Sequence, residues 1–345
     1  MITLKEIAQI CDVSVSTVSN ILNGKPKVSE ETKKKVLDVV KETGYQPNYF
    51  AQGMRKQNTK IIGIIAEDLN EFTTPIVEAM MAYCEEHGYR TILVNLRLYD
   101  RWQDTWYNDE RKLQSVLKPS IQELLSIKVD GIMYVAGHCR VVNCFPECFE
   151  TPAIVAYALS ASKKFPSVVI DDVKGGYDIT RYLISRGHRR IGVIAGTPDN
   201  LHTQKRSIGY QKALFEEQIL YNPDRIQYGD WQRESGYNCA KALHNDDVTA
   251  VFCMNDKMAA GAYDYYYEHG IEIGKDISLI GYDNVGVSQY LRPALTTWEI
   301  PLNIIGKKSA EIILNVINGL DSIEEVSESI KIPCEMVLRD SVAKI

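Results

Sequence analysis

From Ile61 onward the chain repeats one rhythm of short apolar runs and amphipathic stretches of helical period. "KIIGIIAED" reads as a buried strand leading into a loop, and "PIVEAMMAYCEEHGY" as an amphipathic helix. "RTILVNL" is another strand, and "SIQELLSIKVDGIMYV" is a helix running into a strand. "PAIVAY" and "SVVIDD" follow as strands. The rhythm then restarts, with a helix through "GYDITRYLISRGH", the strand "RRIGVIAG" and the helix "RSIGYQKALFEE". The strand "AVFCMND", the helix "MAAGAYDYYYEHG" and the strand "DISLIGYDN" complete it. Such alternation predicts an α/β body of two doubly wound parallel-sheet subdomains in series. Ligands of these sheets bind outside the carboxyl ends of the strands, which places a site in the cleft between the halves.

The first sixty residues obey a different rule. Thr3-Leu-Lys-Glu6 is a capping box, predicting a short helix with Ile7, Ala8 and Ile10 on its buried side. Cys11-Asp12-Val13 makes a tight turn, and Ser14 caps a second helix running to about Asn23, with Val18, Ile21 and Leu22 inward. Ser29 caps a third, Glu30 to about Thr43, with Val36, Val39 and Val40 inward and Gly44 as its stop. Three short helices with a tight first turn make an all-α helix-turn-helix module. Charge separates the two parts. Residues 1–60 carry ten Lys/Arg against six Asp/Glu, a net of +4, whereas the whole chain of 345 residues carries −6. A basic head on an acidic body fits a small module that meets phosphates.

The second helix shows Val15, Ser16, Thr17, Ser19 and Asn20 outward. In such a module it lies in the major groove with its N-terminal residues at base edges. Short hydroxyls reach phosphates and bases, Val15 can touch a thymine methyl, and Asn20 can pair bidentately with adenine. Serine and threonine also serve as plain exposed caps, but the three-helix arrangement and the basic balance favour the DNA reading. In "GYQPNYFAQGMRKQNTK", Pro47 starts a segment in which Asn48 can cap a short helix carrying Phe50, Met54, Arg55 and Lys56. An apolar residue among basic ones suits minor-groove insertion, with Met54 as the wedge. Alternatively, Met54 packs on its own domain.

Residues 3–60, carried by "TLKEIAQICDVSVSTVSNILNGKPKVSEETKKKVLDVVKETGYQPNYFAQGMRK", resemble the DNA-binding head of the LacI/GalR family of bacterial transcription regulators. The resemblance implies that Val15, Ser16 and Asn20 read bases and that Met54 levers the centre of a palindromic operator. The candidate DNA-binding set is Thr3, Ser14, Val15, Ser16, Thr17, Ser19, Asn20, Asn23, Tyr45, Asn48, Met54 and Arg55. Two departures stand out. Asn20 occupies a position where many members carry arginine or histidine, and Gly53 weakens the hinge helix by about 1 kcal/mol relative to alanine.

Residues 61–345 resemble the family's effector domain, itself similar to periplasmic sugar-binding proteins. The strings that carry this are "GHRRIGVIAG", "KRSIGYQKAL", "GDWQRESGY", "FCMNDKMAAGA", "DISLIGYDN" and "PALTTWEIPLNIIGKKSAEIIL". The resemblance implies effector contacts at Arg206, Asn255 and Asp283, a pocket wall at Trp231, and a polar contact at Tyr157. The chemistry agrees. A carboxylate and a guanidinium each bond vicinal hydroxyls, an asparagine both donates and accepts, and Trp231 and Phe72 offer faces to a sugar ring. The expected boundaries are 1–46 for the head, 47–60 for the hinge and 61–345 for the body. The body divides into 61–162 plus 293–322 and 163–292 plus 323–345.

One region of the body departs from the family pattern, and a second, downstream, gathers cysteines. "RLYDRWQDTWYNDERKLQS", residues 97–115, is long and aromatic; Trp102, Trp106 and Tyr107 either reach over the cleft as a lid or decorate the surface. "HCRVVNCFPEC" brings His138, Cys139, Cys144 and Cys148 close in sequence. Such a run can serve as a metal or redox site, but it lacks a paired C-x-x-C and buried thiols behave as small hydrophobes, so a metal site is disfavoured.

No G-x-S-x-G, H-E-x-x-H or G-x-x-x-x-G-K-[ST] signature occurs, and "GKKS" at Gly306 falls inside a helix-like stretch rather than a phosphate loop. No cofactor is expected. No apolar run approaches the ~18 residues of a membrane span, and no signal-peptide pattern opens the chain, so a cytoplasmic protein with reduced thiols is expected. "CEMVLRDSVAKI" shows no leucine heptads, which argues against a terminal coiled coil. The expected protein is a homodimeric, sequence-specific repressor binding double-stranded palindromic operator DNA. Its affinity is set by a small molecule, a sugar above all, through a shift between two arrangements of the body. The alternative is control by a partner protein, as in the family's catabolite-control regulators.

Overall fold

The computed structural model describes residues 2–22, 28–45, 58–107, 109–244, 247–322 and 329–345. They belong to two compact units, Met1–Thr59 and Lys60–Ile345.

The first unit holds α1 (Leu4–Cys11), α2 (Val15–Leu22) and α3 (Glu30–Thr43). The capping box forms: Thr3 Oγ1 accepts from Glu6 N at 3.3 Å, and Glu6 Oε2 accepts from Thr3 N at 2.7 Å. Asp12, at φ 55°, closes α1 in the left-handed region, and Gly44, at φ 64°, closes α3. The core is built from Ile7, Ala8, Cys11, Val18, Ile21 and Val36. Ile10, expected on the buried side of α1, is 53 % exposed. The inward face is centred on Ile7, Ala8 and Cys11, and at 3.6 residues per turn Ile10 lies roughly 100° from that centre.

The second unit contains two six-stranded sheets. The first has the order β13-β7-β5-β3-β1-β2. Its strands are β1 (Ile61–Ala66), β2 (Arg90–Asn95), β3 (Gly131–Val135), β5 (Ala153–Ala156), β7 (Ser167–Ile170) and β13 (Ser329–Ile332). The second has the order β14-β12-β11-β10-β8-β9. Its strands are β8 (Ile191–Ala195), β9 (Ile226–Tyr228), β10 (Ala250–Cys253), β11 (Ser278–Asp283), β12 (Thr296–Glu299) and β14 (Glu335–Val337). Pairing is parallel except at β14, which runs antiparallel to β12. A short ladder of β4 (Val141–Val142) and β6 (Leu159–Ser160) stands apart.

The strand period decides which residues meet which helix. Ile62, Ile64 and Ala66 of β1 enter one buried cluster with Ile76 and Met80 of α4 (Thr73–Glu86) and Ile305 and Ile313 of α12 (Leu302–Ile317). Ile61 and Ile65 enter the other, with Leu117, Ile121 and Leu124 of α6 (Glu110–Ser126). Both faces of β1 are therefore dry, which is why its sequence is an unbroken apolar run. The second sheet is joined by two helix pairs. One is α7 (Asp172–Ser185) with α8 (Leu201–Glu216), and the other is α9 (Arg233–Leu243) with α10 (Asp256–Glu268). At the α7–α8 crossing, a Cβ on Gly176 would lie 2.2 Å from the Arg206 carbonyl oxygen, so only glycine permits this approach.

Sheet membership differs from the expected division at three strands. β7 pairs with β5 and β13 with β7 in the first sheet, whereas β12 pairs with β11 in the second. The chain thus passes between the halves after β7, after β12 and after β13. Parallel pairing sets these crossings, and it is a long-range property that local patterning does not encode.

Candidate functional site

In the head, α2 turns Val18 and Ile21 into the core and keeps Val15 at 36 % exposure. Ser14 and Ser16 are exposed, while Thr17, Ser19 and Asn20 are half-buried. Ser14 Oγ accepts from Thr17 N at 3.1 Å, bonds Ser16 Oγ at 2.7 Å and bonds Thr17 Oγ1 at 2.8 Å. A row of hydroxyls and backbone N–H groups thus meets solvent at a helix N-terminus, a donor set suited to phosphate oxygens. Thr3 is spent on its cap, and Tyr45 packs half-buried against the head's core. Lys34 and Lys35 of α3 are exposed, and Lys33 pairs with Glu30 at 3.4 Å. Asn23, Asn48, Gly53, Met54, Arg55 and the expected hinge helix lie outside the described residues.

In the body, the second sheet's order places its switch point between β8 and β10, beside which ligands of doubly wound folds bind. Arg206, on α8, is 2 % exposed and lies here. Its Nε donates to Asp172 Oδ1 at 2.8 Å, its Nη1 donates to the Met254 carbonyl just past β10, and its plane lies 3.4 Å from the Tyr282 ring centroid. Nη2 has no partner among the described residues. The Trp231 ring stands 6.0 Å away. Trp231 rests where β8 ends: a Cβ on Gly196 would lie 1.9 Å from the indole. Asn255 Nδ2 donates to the Trp231 carbonyl at 2.9 Å, while its Oδ1 caps α10 by accepting from Met258 N at 2.8 Å. Asp283, the last residue of β11, is half-buried; burial pushes its carboxyl well up, against the pull of Arg206. Three site residues take left-handed backbone angles, Tyr157 at φ 66°, Trp231 at 71° and Asp283 at 110°. Held strain of this kind gathers at ligand sites.

Reasoning from sequence missed the support beneath Arg206. Asp172, in the first turn of α7, is 1 % exposed. Burial pushes its carboxyl up, and His202 and Arg206 together pull it down to about 2. His202 Nδ1 lies 2.8 Å from Asp172 Oδ2, and the Cys139 N–H donates to His202 Nε2 at 3.1 Å. That second bond assigns the proton to Nδ1, a neutral tautomer, in keeping with burial lowering the His202 pKa. The available signal was spacing: His202 precedes Arg206 by four residues on one helix face. Tyr282, beside Asp283, and the second of two aspartates closing "SVVIDD" were equally in view.

Among the described residues, bonds between the halves include the Cys139 N–H to His202 Nε2, the contact of Lys205 Nζ with Cys139 Sγ, and an ion pair of 2.5 Å between Glu71, after β1, and Lys257, in the first turn of α10. Phe72, next to Glu71, is half-buried at the start of α4, with its N–H on Asn70 Oδ1 at 2.8 Å. It belongs to the first half's rim, and no bond ties it to Arg206 among the described residues. Tyr157, 4 % exposed after β5, lies 5.5 Å from the His202 ring.

The His138–Cys148 run is dispersed. Cys144 is in the first half's core and Cys148 is exposed, and every cysteine is a free thiol. Ligand atoms of Cys139, Asp172 and His202 do come within 4.8 Å of one another. Arg206 and Lys205 load this group with positive charge, Lys205 Nζ lying 3.9 Å from Cys139 Sγ, and burial pushes the thiol up to about 11. Both imidazole nitrogens are occupied, so the cluster is a hydrogen-bonded chain rather than a ligand set. The aromatic run resolves differently again. Trp106 is 4 % exposed in the first half's core, stacked on Tyr107 at 4.7 Å with the Arg140 guanidinium 4.6 Å from its ring centroid. Beneath it, buried Glu67 takes Arg140 at 2.5 and 3.0 Å, Tyr134 Oη at 2.5 Å and Gly137 N at 2.7 Å. Among the described residues no helix is long and apolar enough to cross a membrane.

Comparison with known proteins gives two family matches. Residues 3–48 match the bacterial regulatory proteins of the lacI family, and residues 180–342 match the periplasmic binding protein-like domain. The chain is 34 % identical to the HTH-type transcriptional repressor PurR of Klebsiella pneumoniae, covering 99 % of this chain and 97 % of that one. It is 31 % identical to the ribose operon repressor of Haemophilus influenzae, covering 99 % of each. Its fold is similar to that of a Lac repressor dimer crystallised with operator and the anti-inducer ONPF. The TM-score is 0.78 at 24 % identity, with 99 % of each chain covered.

Proposed function

The chain belongs to the lacI family of bacterial regulatory proteins, and on that premise we propose that its affinity for operator DNA is set by a sugar bound at the cleft between the two α/β halves. It is a DNA-binding transcriptional regulator; repression is the direction its relatives' names carry. The head reads a palindromic operator through Val15, Ser16 and Asn20 as part of a homodimer in the cytoplasm, where that DNA resides. The reading contains no catalytic step.

The observation that carries the effector proposal is the setting of Arg206. Asp172, Tyr282 and the Met254 carbonyl hold its guanidinium, which stands 6.0 Å from the Trp231 ring and acts by its charge on Asp283. A preorganised fork beside a carboxylate and an aromatic face binds vicinal hydroxyls while losing little entropy. Occupancy then favours one arrangement of the halves over the other, and operator and effector alter each other's affinity by the same factor.

Thermal-shift measurement against sugars, sugar phosphates, nucleosides and purines tests this. A ligand at ~100 times its dissociation constant stabilises the fold by ~2.7 kcal/mol. The expected hit is a sugar whose effect disappears in Asp283→Ala. Arg206→Ala is the poorer probe, since it strands the Asp172 charge in the interior at a cost of about 3–5 kcal/mol. A panel without a hit, together with intact operator binding, would shift control to a partner protein.

A further inference from the structure

α9 and α10 pack side by side, and both run back from the carboxyl ends of parallel strands. Their C-termini therefore emerge together, at the end of the second half away from the cleft. Each helix ends on a histidine: His244 is the C-cap of α9 and His269 the C-cap of α10. Both are exposed, and their ring centroids stand 6.3 Å apart. We propose that this pair is a binding site for a divalent transition-metal ion of the class of Zn²⁺ and Ni²⁺. The inference does not depend on the sugar reading. Asn255 and Lys257, at the start of α10, lie a 13-residue helix away, roughly 20 Å.

The packing orients both imidazoles. Tyr265, 4 % exposed, is the platform for the pair: the His269 ring stacks on it at 4.1 Å, and the His244 ring stands edge-on to it at 5.8 Å. His269 Nδ1 lies 2.8 Å from the Tyr265 carbonyl oxygen, which can only accept. The proton therefore sits on Nδ1, and the Nε2 lone pair is left for a ligand. Metal-bound imidazoles are oriented by this same bond from their other ring nitrogen. No hydrogen bond commits the His244 ring among the described residues. Metal–nitrogen bonds of about 2.0–2.1 Å span at most about 4 Å between two nitrogens, and rings with centroids 6.3 Å apart come within that reach once the exposed His244 side chain turns a nitrogen inward.

The surroundings favour a cation. Two helix C-termini present their last carbonyls here, each equivalent to roughly half a negative charge. The carboxylates of Glu268 and Asp247 flank the pair in sequence, the first accepting from Tyr237 Oη at 2.7 Å and the second paired with Arg190 at 3.1 Å. Lys241, in the last turn of α9, is the opposing charge. The ligand type selects the ion: Zn²⁺ and Ni²⁺ take imidazole nitrogens, whereas Mg²⁺ and Ca²⁺ require oxygen. The chain also supplies an internal control. His87, the C-cap of α4, stacks on Tyr83 at 4.1 Å, and its Nδ1 lies 2.8 Å from the Tyr83 carbonyl oxygen. That is the local arrangement of His269 on Tyr265, but no second imidazole stands beside it among the described residues, so it offers a single ligand.

The test is calorimetric titration of the untagged full chain with Ni²⁺ and Zn²⁺, with Mg²⁺ as the control ion. The exposed Cys148 is replaced by serine throughout, so that its thiol does not compete. The parent is expected to bind one Ni²⁺ per chain and no Mg²⁺, and its melting temperature should rise with Ni²⁺. His244→Gln and His269→Gln should each weaken Ni²⁺ binding by about tenfold or more, a loss that follows even from disturbing a metal ligand's outer partner. The rise in melting temperature should vanish with it, whereas His87→Gln leaves both unchanged. All three side chains are exposed, and matching metal-free melting curves show that a folding failure does not mimic the result. If His87→Gln costs as much as His269→Gln, the ion is held by scattered surface histidines and the site is wrong. It is equally wrong if the parent binds neither ion, or if either variant of the pair binds as tightly as the parent.

Discussion

His202 shows how much one side chain can carry. Its Nδ1–H belongs to Asp172 and its Nε2 to the Cys139 N–H, so a second proton has no place to go, and burial lowers its pKa. A folded-state value below the unfolded one means that the unfolded chain takes up a proton that the folded chain refuses. The stability is therefore present above about pH 6.5 and falls as pH drops through that value. We expect His202→Gln to flatten the fall in denaturant midpoint between about pH 7 and 5 relative to the parent; an unchanged slope would place the titration elsewhere. Arg206, Trp231, Asn255 and Asp283 could be proposed together from sequence because their neighbouring strings are distinctive. Asp172 could not, because its meaning comes from α7 and α8 crossing at Gly176.

Helix ends and helix crossings follow rules of different range. The capping box of α1 was readable from four residues, and Thr3→Ala should destabilise the head by about 1 kcal/mol, seen as a lower melting point of the head transition in the full chain. An unchanged melting point would mean that Glu6 alone holds the helix start. The α7–α8 contact is instead a matter of volume. A methyl group at Gly176 meets the Arg206 carbonyl, which is backbone and cannot turn aside. Gly176→Ala should cost about 1–3 kcal/mol and also weaken effector binding, because α8 carries both Arg206 and His202. A variant with lowered stability but full ligand affinity would show that α8 shifts without disturbing the site. The aromatic run shows the limit of local reading. Lid and surface decoration were both open, yet Trp106 became part of a core that no neighbouring residue in sequence announces.

At the scale of the molecule, control depends on how the halves of the body are held. Glu71–Lys257 is an ion pair of partly exposed side chains, and such pairs contribute up to about 1 kcal/mol, screened by salt. Lys257→Ala should raise the effector dissociation rate several-fold at low ionic strength, and the difference from the parent should vanish near 1 M salt, where the Debye length is about 3 Å. A difference that persists in salt would mean that Lys257 acts by packing rather than charge. The sequence alone determined that a three-helix module precedes two parallel α/β sheets, because apolar period, caps and turn residues are local and survive in a string of letters. It also nominated the strand ends proposed here as the effector site. The tertiary structure decided which sheet receives β7, β12 and β13, which carboxylate supports Arg206, and where His138 and the aromatic run meet. Each of these is a contact between residues far apart in the chain, selected by which edge, volume or charge remained open once the rest had folded.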